Sequence, residues 1–442
     1  MPRSIHRWSA VACLLALGGV GPAQAQLGLP GLPSLPGGVG RVPLLRPSEP
    51  LLASVPLQEL RQRTVRDLLR QHRDLLEADP AGEPVRRAEL LLVSPAQATL
   101  DAALALGFRL LRDAVFEGLD TRSVVLQPPR GLSTAAALAR LRTLDPGLEV
   151  DFNHVYTRSG STGEAPTERA ASSPTTAGAT ALPGPRIGLV DGGVDRAHPA
   201  LRRASLTHWG CDGRTVASAH GTAIASLLVG RDARFVGVVP EAMLYAADVY
   251  CEHPDGGSVE AVASALAWLA RERVPVINVS LVGPPNRLLE RAVRALSARG
   301  HLVVAAVGND GPAAPPLYPA SYPEVIGVTG VTPARKALPE AALGPQVAFA
   351  APGAELSVAS AGASGYSVAR GTSFAAPVVA GLLSRGLALP ESAAAQRAVQ
   401  QLADSATDLG APGRDGQFGW GLVGEQARIA PERVQAAARK QM

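Results

Sequence analysis

Four polar residues of this chain have the types and the settings that nucleophilic catalysis requires. Asp191 and Asn309 each follow an apolar stretch that predicts a strand, whereas His220 and Ser373 each lie at the start of a predicted helix. A serine at a helix N-terminus lies beside unpaired backbone donors and the positive end of the helix dipole, which suits a nucleophile whose attack creates an oxyanion. Each residue also has a plain structural interpretation, as a turn Asp or Asn, a packed core histidine or a helix-capping serine. Pro377 lies near enough to the start of its helix that its missing N–H is expected to break no ladder bond.

The elements that must position these residues follow one another between residues 186 and 402. Continuous apolar strands alternate there with amphipathic helices, which indicates a parallel sheet covered on both faces. Because ligands bind at the carboxyl ends of the strands in such sheets, the four polar residues are expected to meet at one edge. The predicted strands are 186–190, 243–249, 274–279, 301–307, 325–328 and 347–349, and the predicted helices are 219–229, 259–271, 287–299, one begun by Ser373, and 392–402.

Four short motifs contain these residues: Asp191-Gly-Gly, His220-Gly-Thr, Gly308-Asn309 and Gly371-Thr-Ser373-Phe-Ala-Ala-Pro. Their order along the chain, with Asp before His before Ser, is that of subtilisin. Together the motifs resemble the subtilisin-like serine peptidase family, the subtilases, over roughly residues 186–425. The resemblance implies an α/β fold of the subtilisin-like doubly wound type, with a mostly parallel sheet and helices on both faces.

The resemblance also implies a role for each residue. Ser373 would attack a peptide carbonyl, His220 would take up its proton and pass it to the leaving amine, and Asp191 would orient the imidazole. The side chain of Asn309 and the backbone N–H of Ser373 would form the oxyanion hole. Protein or peptide substrates would bind along an edge and pocket formed by Ser280, Leu281, Val282, Gly283, Ala306, Val307 and Gly308.

Two residues depart from the family pattern. Gly192 stands where Ser or Thr is usual, which removes a supporting hydrogen bond but no catalytic group. Val282 stands where glycine is usual, and a β-branched residue there should narrow the pocket mouth or shift the bound peptide. Bound calcium is usual in the family, but no acidic cluster with calcium-ligand spacing is evident. The sequence therefore assigns no cofactor and no metal ligand, and it leaves calcium binding open.

The N-terminus has the features of a secretory signal peptide over residues 1–25. A basic start precedes a short apolar stretch and the cleavage pattern Ala23-Gln24-Ala25, so export to the periplasm or the extracellular space is expected. A lipoprotein signal ending at Cys13 is the alternative.

Cleavage after residue 25 leaves two cysteines, Cys211 and Cys251, in an exported chain. They are predicted to form a disulfide worth on the order of 4 kcal/mol in the chain-entropy model, and two free buried thiols are the alternative.

The region before residue 186 divides into further segments. Residues 26–85 are predicted as a Pro/Gly-rich arm with a helix, 158–185 as an exposed linker, 186–425 as the peptidase domain and 426–442 as a C-terminal tail. Residues 86–157 have the order β-α-β-β-α-β, which predicts a small α+β ferredoxin-like domain. Because subtilases often carry a propeptide of this shape, the resemblance implies that this domain is an intramolecular inhibitor. Cleavage somewhere within 157–185 would then remove it.

Composition excludes some partners and leaves others open. Hydrophobic residues make up 46% of the 442 residues and charged residues 18%, which is typical of globular protein. Basic residues are scattered among acids, so a nucleic-acid partner is not expected. The apolar stretch of the signal is too short to span a membrane, and no other apolar run is long enough. Two other functions stay open: an acyl transferase or peptide ligase that uses the same triad, and an inactive binding or chaperone protein on the same fold.

Overall fold

The computed structural model of the protein describes residues 57–158, 161–162, 184–253, 255–362, 365–432 and 434. The chain forms two units, Met1–Ala53 and Ser54–Met442, and the described residues belong to the second. The predicted signal peptide, the arm up to residue 56 and most of the predicted linker lie outside the described residues.

The helices within this part of the chain are α1 (Leu57–Gln71), α2 (Gln97–Ala105), α3 (Thr134–Leu144), α4 (Ala219–Val229), α5 (Val259–Arg271), α6 (Arg287–Ala298), α7 (Thr372–Arg385) and α8 (Ser392–Asp404). The strands are β1 (Leu76–Ala78), β2 (Pro84–Val93), β3 (Arg109–Phe116), β4 (Thr121–Gln127), β5 (Val150–His154), β6 (Thr157–Arg158), β7 (Ser161–Thr162), β8 (Arg186–Asp191), β9 (Ser205–Trp209), β10 (Met243–Asp248), β11 (Val276–Val279), β12 (Leu281–Val282), β13 (Leu302–Ala306), β14 (Val325–Val331), β15 (Val347–Pro352), β16 (Leu356–Ala359) and β17 (Tyr366–Arg370).

The small domain, residues 76–154, is an antiparallel sheet with two helices on one face. Its strands lie in the order β5-β2-β4-β3, and β1 also pairs with β2. The chain order β2-α2-β3-β4-α3-β5 is the predicted ferredoxin-like one, and Ser133 caps α3 by accepting the N–H of Ala136. The sheet begins with β1 and not at residue 86, because Leu76–Ala78 pair antiparallel with the start of β2.

The large domain, residues 184–434, is built on a seven-stranded parallel sheet of order β15-β14-β13-β11-β8-β10-β9. One face packs against α4 and α7, and the other against α5 and α6, in two separate apolar cores. The predicted fold class is therefore confirmed. Strand β9 was not predicted, since its half-polar sequence (SLTHW) belongs to an edge strand and has no continuous apolar run.

The small domain lies against α5 and α6 through the sheet face that its own helices leave uncovered. Leu90 and Leu92 point to its own core, whereas Leu91 and Val93 join the core that α5 and α6 line. Successive side chains of a strand alternate between faces, so the unbroken apolar run of β2 reflects burial on both sides.

Ion pairs surround this apolar contact between the two domains. Arg112 of β3 pairs with Glu260 of α5 at 2.8 Å, and Arg86 of β2 donates from Nε to Asp255 at 2.7 Å. Beyond β5 the chain continues along the large domain, where the N–H of Tyr156 donates to the carbonyl of Gly257 at 2.8 Å. Strands β6 and β7 then follow, so the predicted linker opens with residues that pair with the large domain.

The C-terminal boundary also differs from the prediction. Ile429 and Val434 are buried in the core that α4 and α7 line, and the carbonyl of Ile429 accepts the N–H of Ser357 at 2.8 Å. The segment predicted as a tail from residue 426 therefore begins as part of the large domain. In the part of the chain that the structure describes, no helix is both long and apolar enough to cross a membrane.

Candidate active site

Asp191 and His220 form a buried hydrogen-bonded pair at the carboxyl edge of the sheet. Asp191 ends β8 and is fully buried, and its Oδ1 accepts the N–H of Gly192 at 2.6 Å. His220 is the second residue of α4, which begins where Ser218 accepts the N–H of Gly221. Nδ1 of His220 lies 2.8 Å from Oδ2 of Asp191. Because a carboxylate only accepts, Nδ1 carries the proton, which makes Nε2 the basic nitrogen.

Ser373 is the second residue of α7 and is fully buried. Its Oγ has no hydrogen-bond partner among the described residues. Gly371 precedes the helix with φ of 134°, a backbone conformation that a side chain would strain. The ring of Phe374 lies 5.4 Å from that of His220, so the imidazole packs against the first turn of α7.

A proline inside α7 leaves the carbonyl of Ser373 without its usual helical donor. Pro377 is four residues beyond Ser373 and within the helix, so one ladder bond is missing there, contrary to expectation. The Oγ of Ser280 donates to this carbonyl at 3.3 Å and accepts from Nδ2 of Asn278 at 2.8 Å. A side chain at the end of β11 thus replaces the lost helical bond.

Asn309 lies just beyond β13 and faces the start of α7. Its Oδ1 accepts the N–H of Thr372 at 3.0 Å, and the Oγ1 of Thr372 accepts the N–H of Gly308 at 3.2 Å. Since Oδ1 is engaged by α7, the donating end of the amide is Nδ2. This orientation is the one that an oxyanion donor beside Ser373 requires.

The predicted substrate edge is paired with the chain's own segment. Leu281 pairs with Arg158 and Val282 with Thr157 in an antiparallel register. Gly283 exchanges backbone hydrogen bonds with Tyr318, at 3.0 and 2.9 Å.

The predicted pocket residues beside this edge are buried. Ala306 lies in the core that α4 and α7 line, and Val307 in the core that α5 and α6 line. Gly308 has φ of 103°, and a Cβ placed there would lie 2.5 Å from Leu317, so the position suits glycine alone.

Cys211 and Cys251 are joined by a disulfide beside this edge. Oδ1 of Asp248 accepts the N–H groups of Tyr250 and Cys251 at 3.0 and 2.9 Å, which holds the loop after β10. Cys211, Asp248 and Cys251 are the group of potential metal ligands found among the described residues. Because both thiols are consumed in the disulfide, this group offers a metal a single carboxylate.

The sequence interpretation missed Asp248 and Tyr250. Asp248 pairs in register with Asp191 on the neighbouring parallel strand, so two carboxylates lie side by side at the same edge. The signal that singled out Asp191, an acid at the end of an apolar strand, is present at Asp248 as well.

Asp310, next to Asn309, contacts Arg61 of α1 at 3.4 Å. Burial raises the pKa of Asp310 to about 6, although the positive charge of Arg61 acts against this. The folded state therefore holds this proton more tightly than the unfolded state, and stability is lost as pH rises from about 4 to about 6.

We expect Asp310→Asn to remove this loss of stability. The difference in free energy of unfolding between Asp310→Asn and the unsubstituted protein should therefore shift in favour of the variant by about 2 kcal/mol from pH 4 to pH 7.

Urea unfolding across this pH range, with both proteins carrying Ser373→Ala to prevent self-digestion, measures the difference. Parallel curves for the two proteins would contradict the assignment of the raised pKa to Asp310.

Comparison with known proteins places these features in one family. The Subtilase family matches residues 183–421, more than half of the chain. Subtilisin DY of Bacillus licheniformis is 31% identical over 258 residues, which cover 55% of this chain and 89% of that protein. The minor extracellular protease Epr of Bacillus subtilis (strain 168) is 30% identical over 224 residues, which cover 49% of this chain but only 34% of Epr.

A solved structure shares the fold. Fervidolysin from Fervidobacterium pennivorans, a keratinolytic enzyme related to subtilisin, superposes with a TM-score of 0.63 at 18% identity, covering 81% of this chain and 62% of that chain. Fold, motif order and family match together define a subtilisin-like serine peptidase. The chain belongs to the subtilase family.

Proposed function

We propose that the chain is an exported serine endopeptidase, made as an autoinhibited precursor, that hydrolyses peptide bonds through Asp191, His220 and Ser373. The observation that carries this proposal is the hydrogen bond from His220 to Asp191, with the His220 ring packed on the first turn of α7, where the buried Oγ of Ser373 has no partner among the described residues. Export is supported by the signal pattern of residues 1–25 and by the extracellular location that the name of Epr records.

The proposed reaction proceeds through an acyl-enzyme. The Oγ of Ser373 attacks the carbonyl carbon of the scissile bond, and its proton moves to Nε2 of His220. Asp191 stabilises the imidazolium that forms, because its buried carboxylate already accepts from Nδ1. Nδ2 of Asn309 and the N–H of Ser373 donate to the oxyanion. His220 then returns the proton to the leaving amine. In the second half of the reaction a water molecule attacks the acyl carbon in the same way, and the acyl group leaves Ser373.

The precursor part of the proposal rests on the docked small domain. Beyond β5, the chain runs along the substrate edge, with Thr157 and Arg158 adding a strand to Leu281 and Val282. Further along, Ser161 and Thr162 pair with strand β17, which leads into Ser373 through Gly371 and Thr372. The described parts of this segment, 157–158 and 161–162, therefore pair with two strands near Ser373, in the way that a substrate would bind by strand addition.

Reaction with a tagged organophosphonate tests the catalytic assignment. The self-processed protein should take up one label at Ser373, and Ser373→Ala should take up none. Absence of label would favour the inactive binding protein. If the labelled protein transferred peptides to added amines in preference to water, the mass of the products would show it. That result would favour the peptide ligase as the function.

Tyr156 should control how tightly the segment is held. Its side chain is fully buried, its ring lies against Gly283, and its hydroxyl donates to the carbonyl of Pro284 at 2.6 Å. Removing a buried aromatic ring costs about 3–5 kcal/mol, whereas losing one hydrogen bond costs about 1 kcal/mol. In a Ser373→Ala precursor we therefore expect trypsin to remove the small domain at least about a hundredfold faster in Tyr156→Ala and less than about tenfold faster in Tyr156→Phe.

Gel densitometry of a trypsin time course gives both rates. Equal rates for all three precursors would show that the segment does not hold the small domain in place.

A further inference from the structure

A cationic side chain lies against an acidic corner of the substrate edge. The guanidinium of Arg158 stacks over the ring of Tyr250, 4.1 Å from its centroid. Its Nη2 lies 3.0 Å from where a Cβ on Gly192 would be. Gly192, where the family usually has Ser or Thr, thus leaves room for this guanidinium at the end of β8.

The same corner contains a buried carboxylate oxygen to which none of the described residues donates a hydrogen bond. Asp248 is only 5% exposed, and its Oδ2 has no hydrogen-bond partner among the described residues. Oδ1 is engaged by the loop, whereas Oδ2 lies 2.8 Å from where a Cβ on Gly193 would be. Both the free oxygen and the guanidinium therefore border the Gly192–Gly193 turn.

The charges at this corner favour a cation. Burial raises the pKa of the Asp248 carboxyl; the neighbouring charge of Asp191 acts in the same direction, and the positive charge of Arg158 opposes both. Two adjacent acids at the end of a parallel sheet create a negative potential that a basic side chain relieves. An aromatic ring beside them adds a cation–π contact.

We propose that Asp248 and Tyr250 form a subsite that selects a cationic side chain, preferably arginine, at the substrate position that Arg158 takes. This inference rests on the proposed peptidase function and specifies its substrate class. Arg158 reaches the subsite because its neighbour Thr157 pairs with Val282, which fixes the register of the segment on the edge. Any peptide that binds in this register directs its corresponding side chain at the same corner.

The subsite is also held rigidly. The disulfide of Cys251 fixes the residue after Tyr250, and Oδ1 of Asp248 accepts the N–H groups of Tyr250 and Cys251, so contacts within the large domain hold this loop. Because this loop is already ordered, little conformational entropy is lost when a cationic side chain binds. The preference for arginine should therefore be measurable in short peptides as well.

Fluorogenic peptides with the chain's own sequence 155–162 (VYTRSGST) test the inference. One carries arginine at the fourth position, and a matched one carries citrulline, which keeps the shape and removes the charge. For the self-processed enzyme we expect kcat/KM to be about tenfold higher for arginine, the size of a partly desolvated cation–π and charge contact. Asp248→Asn should reduce this ratio to less than about threefold. Tyr250→Leu should reduce it too.

Glu252→Gln is the matched control, because it removes an exposed acid from the same loop and should leave the ratio unchanged. In the unsubstituted enzyme the ratio should also fall between 0.05 and 1 M NaCl, a measurement that needs no variant to fold. Equal rates for the two peptides, or an unchanged ratio in folded Asp248→Asn, would overturn the subsite. Casein digestion by the same preparations separates the two proposals. Casein cleavage without an arginine preference rejects the subsite alone, and failure to cleave casein rejects the peptidase and the subsite with it.

Discussion

Replacing Ser373 with alanine is expected to lower kcat by a factor of about 10⁶, a magnitude taken from the relative subtilisin. The loss is expected to be this large because the substitution removes the oxygen that the pair of His220 and Asp191 is proposed to activate. The same substitution should stop self-processing, so that the protein accumulates with its small domain attached. Peptide hydrolysis and intact mass of the purified protein measure the two effects.

Ser384 provides a control on the same helix. It is buried, and its Oγ donates to the carbonyl of Gly381 at 2.8 Å, three turns from the nucleophile. Ser384→Ala should retain both hydrolysis and processing. If the Ser373→Ala protein still processed itself, a different residue would have to be the nucleophile.

Asn309→Ala is expected to lower kcat by about 10²–10³ with little change in KM, the range found for the corresponding donor of subtilisin. The side-chain amide of Asn309 is held by the N–H of Thr372, so its donor end is preorganised for the charge that develops after attack. An interaction made only in the transition state affects kcat and leaves ground-state binding alone.

Steady-state kinetics on one peptide separate the two constants. Asp310→Asn, which changes the next residue, should keep kcat within a few-fold and serves as the control. A rise in KM at unchanged kcat would instead make Asn309 a substrate-binding residue.

Much of the fold could be predicted because every strand of the large sheet except the edge strand β9 is apolar on both faces. Helix α5 was predicted with its observed bounds, Val259–Arg271, since its apolar face and its Ser258 cap are both local signals. The short strands β6, β7 and β12 were not predicted. Each has only two residues, and each forms because of a partner far away in the sequence, as Val282 does with Thr157.

The candidate site was predictable where chemistry and position coincide. Asp191 and His220 stand at a strand end and a helix start, and the structure joins them by a hydrogen bond. The contact of Arg61 with Asp310 was missed, because it forms only after the small domain has docked. Asp248 ends an apolar strand as Asp191 does, but its burial at the same edge is visible only in the assembled sheet.

The hydroxyl of Ser280 connects two parts of the site that are distant in sequence. It immediately precedes the strand where a peptide would be added, and it is bonded to the backbone of Ser373, the proposed nucleophile. The distance from the binding strand to the attacking atom is therefore set within the protein and does not depend on the peptide. A peptide that slipped by one residue along this strand would move by about 3.3 Å and would present a different bond with its side chains on the wrong faces. In the proposed reaction, the position of the cut would thus be decided by alignment along the strand before any bond is broken.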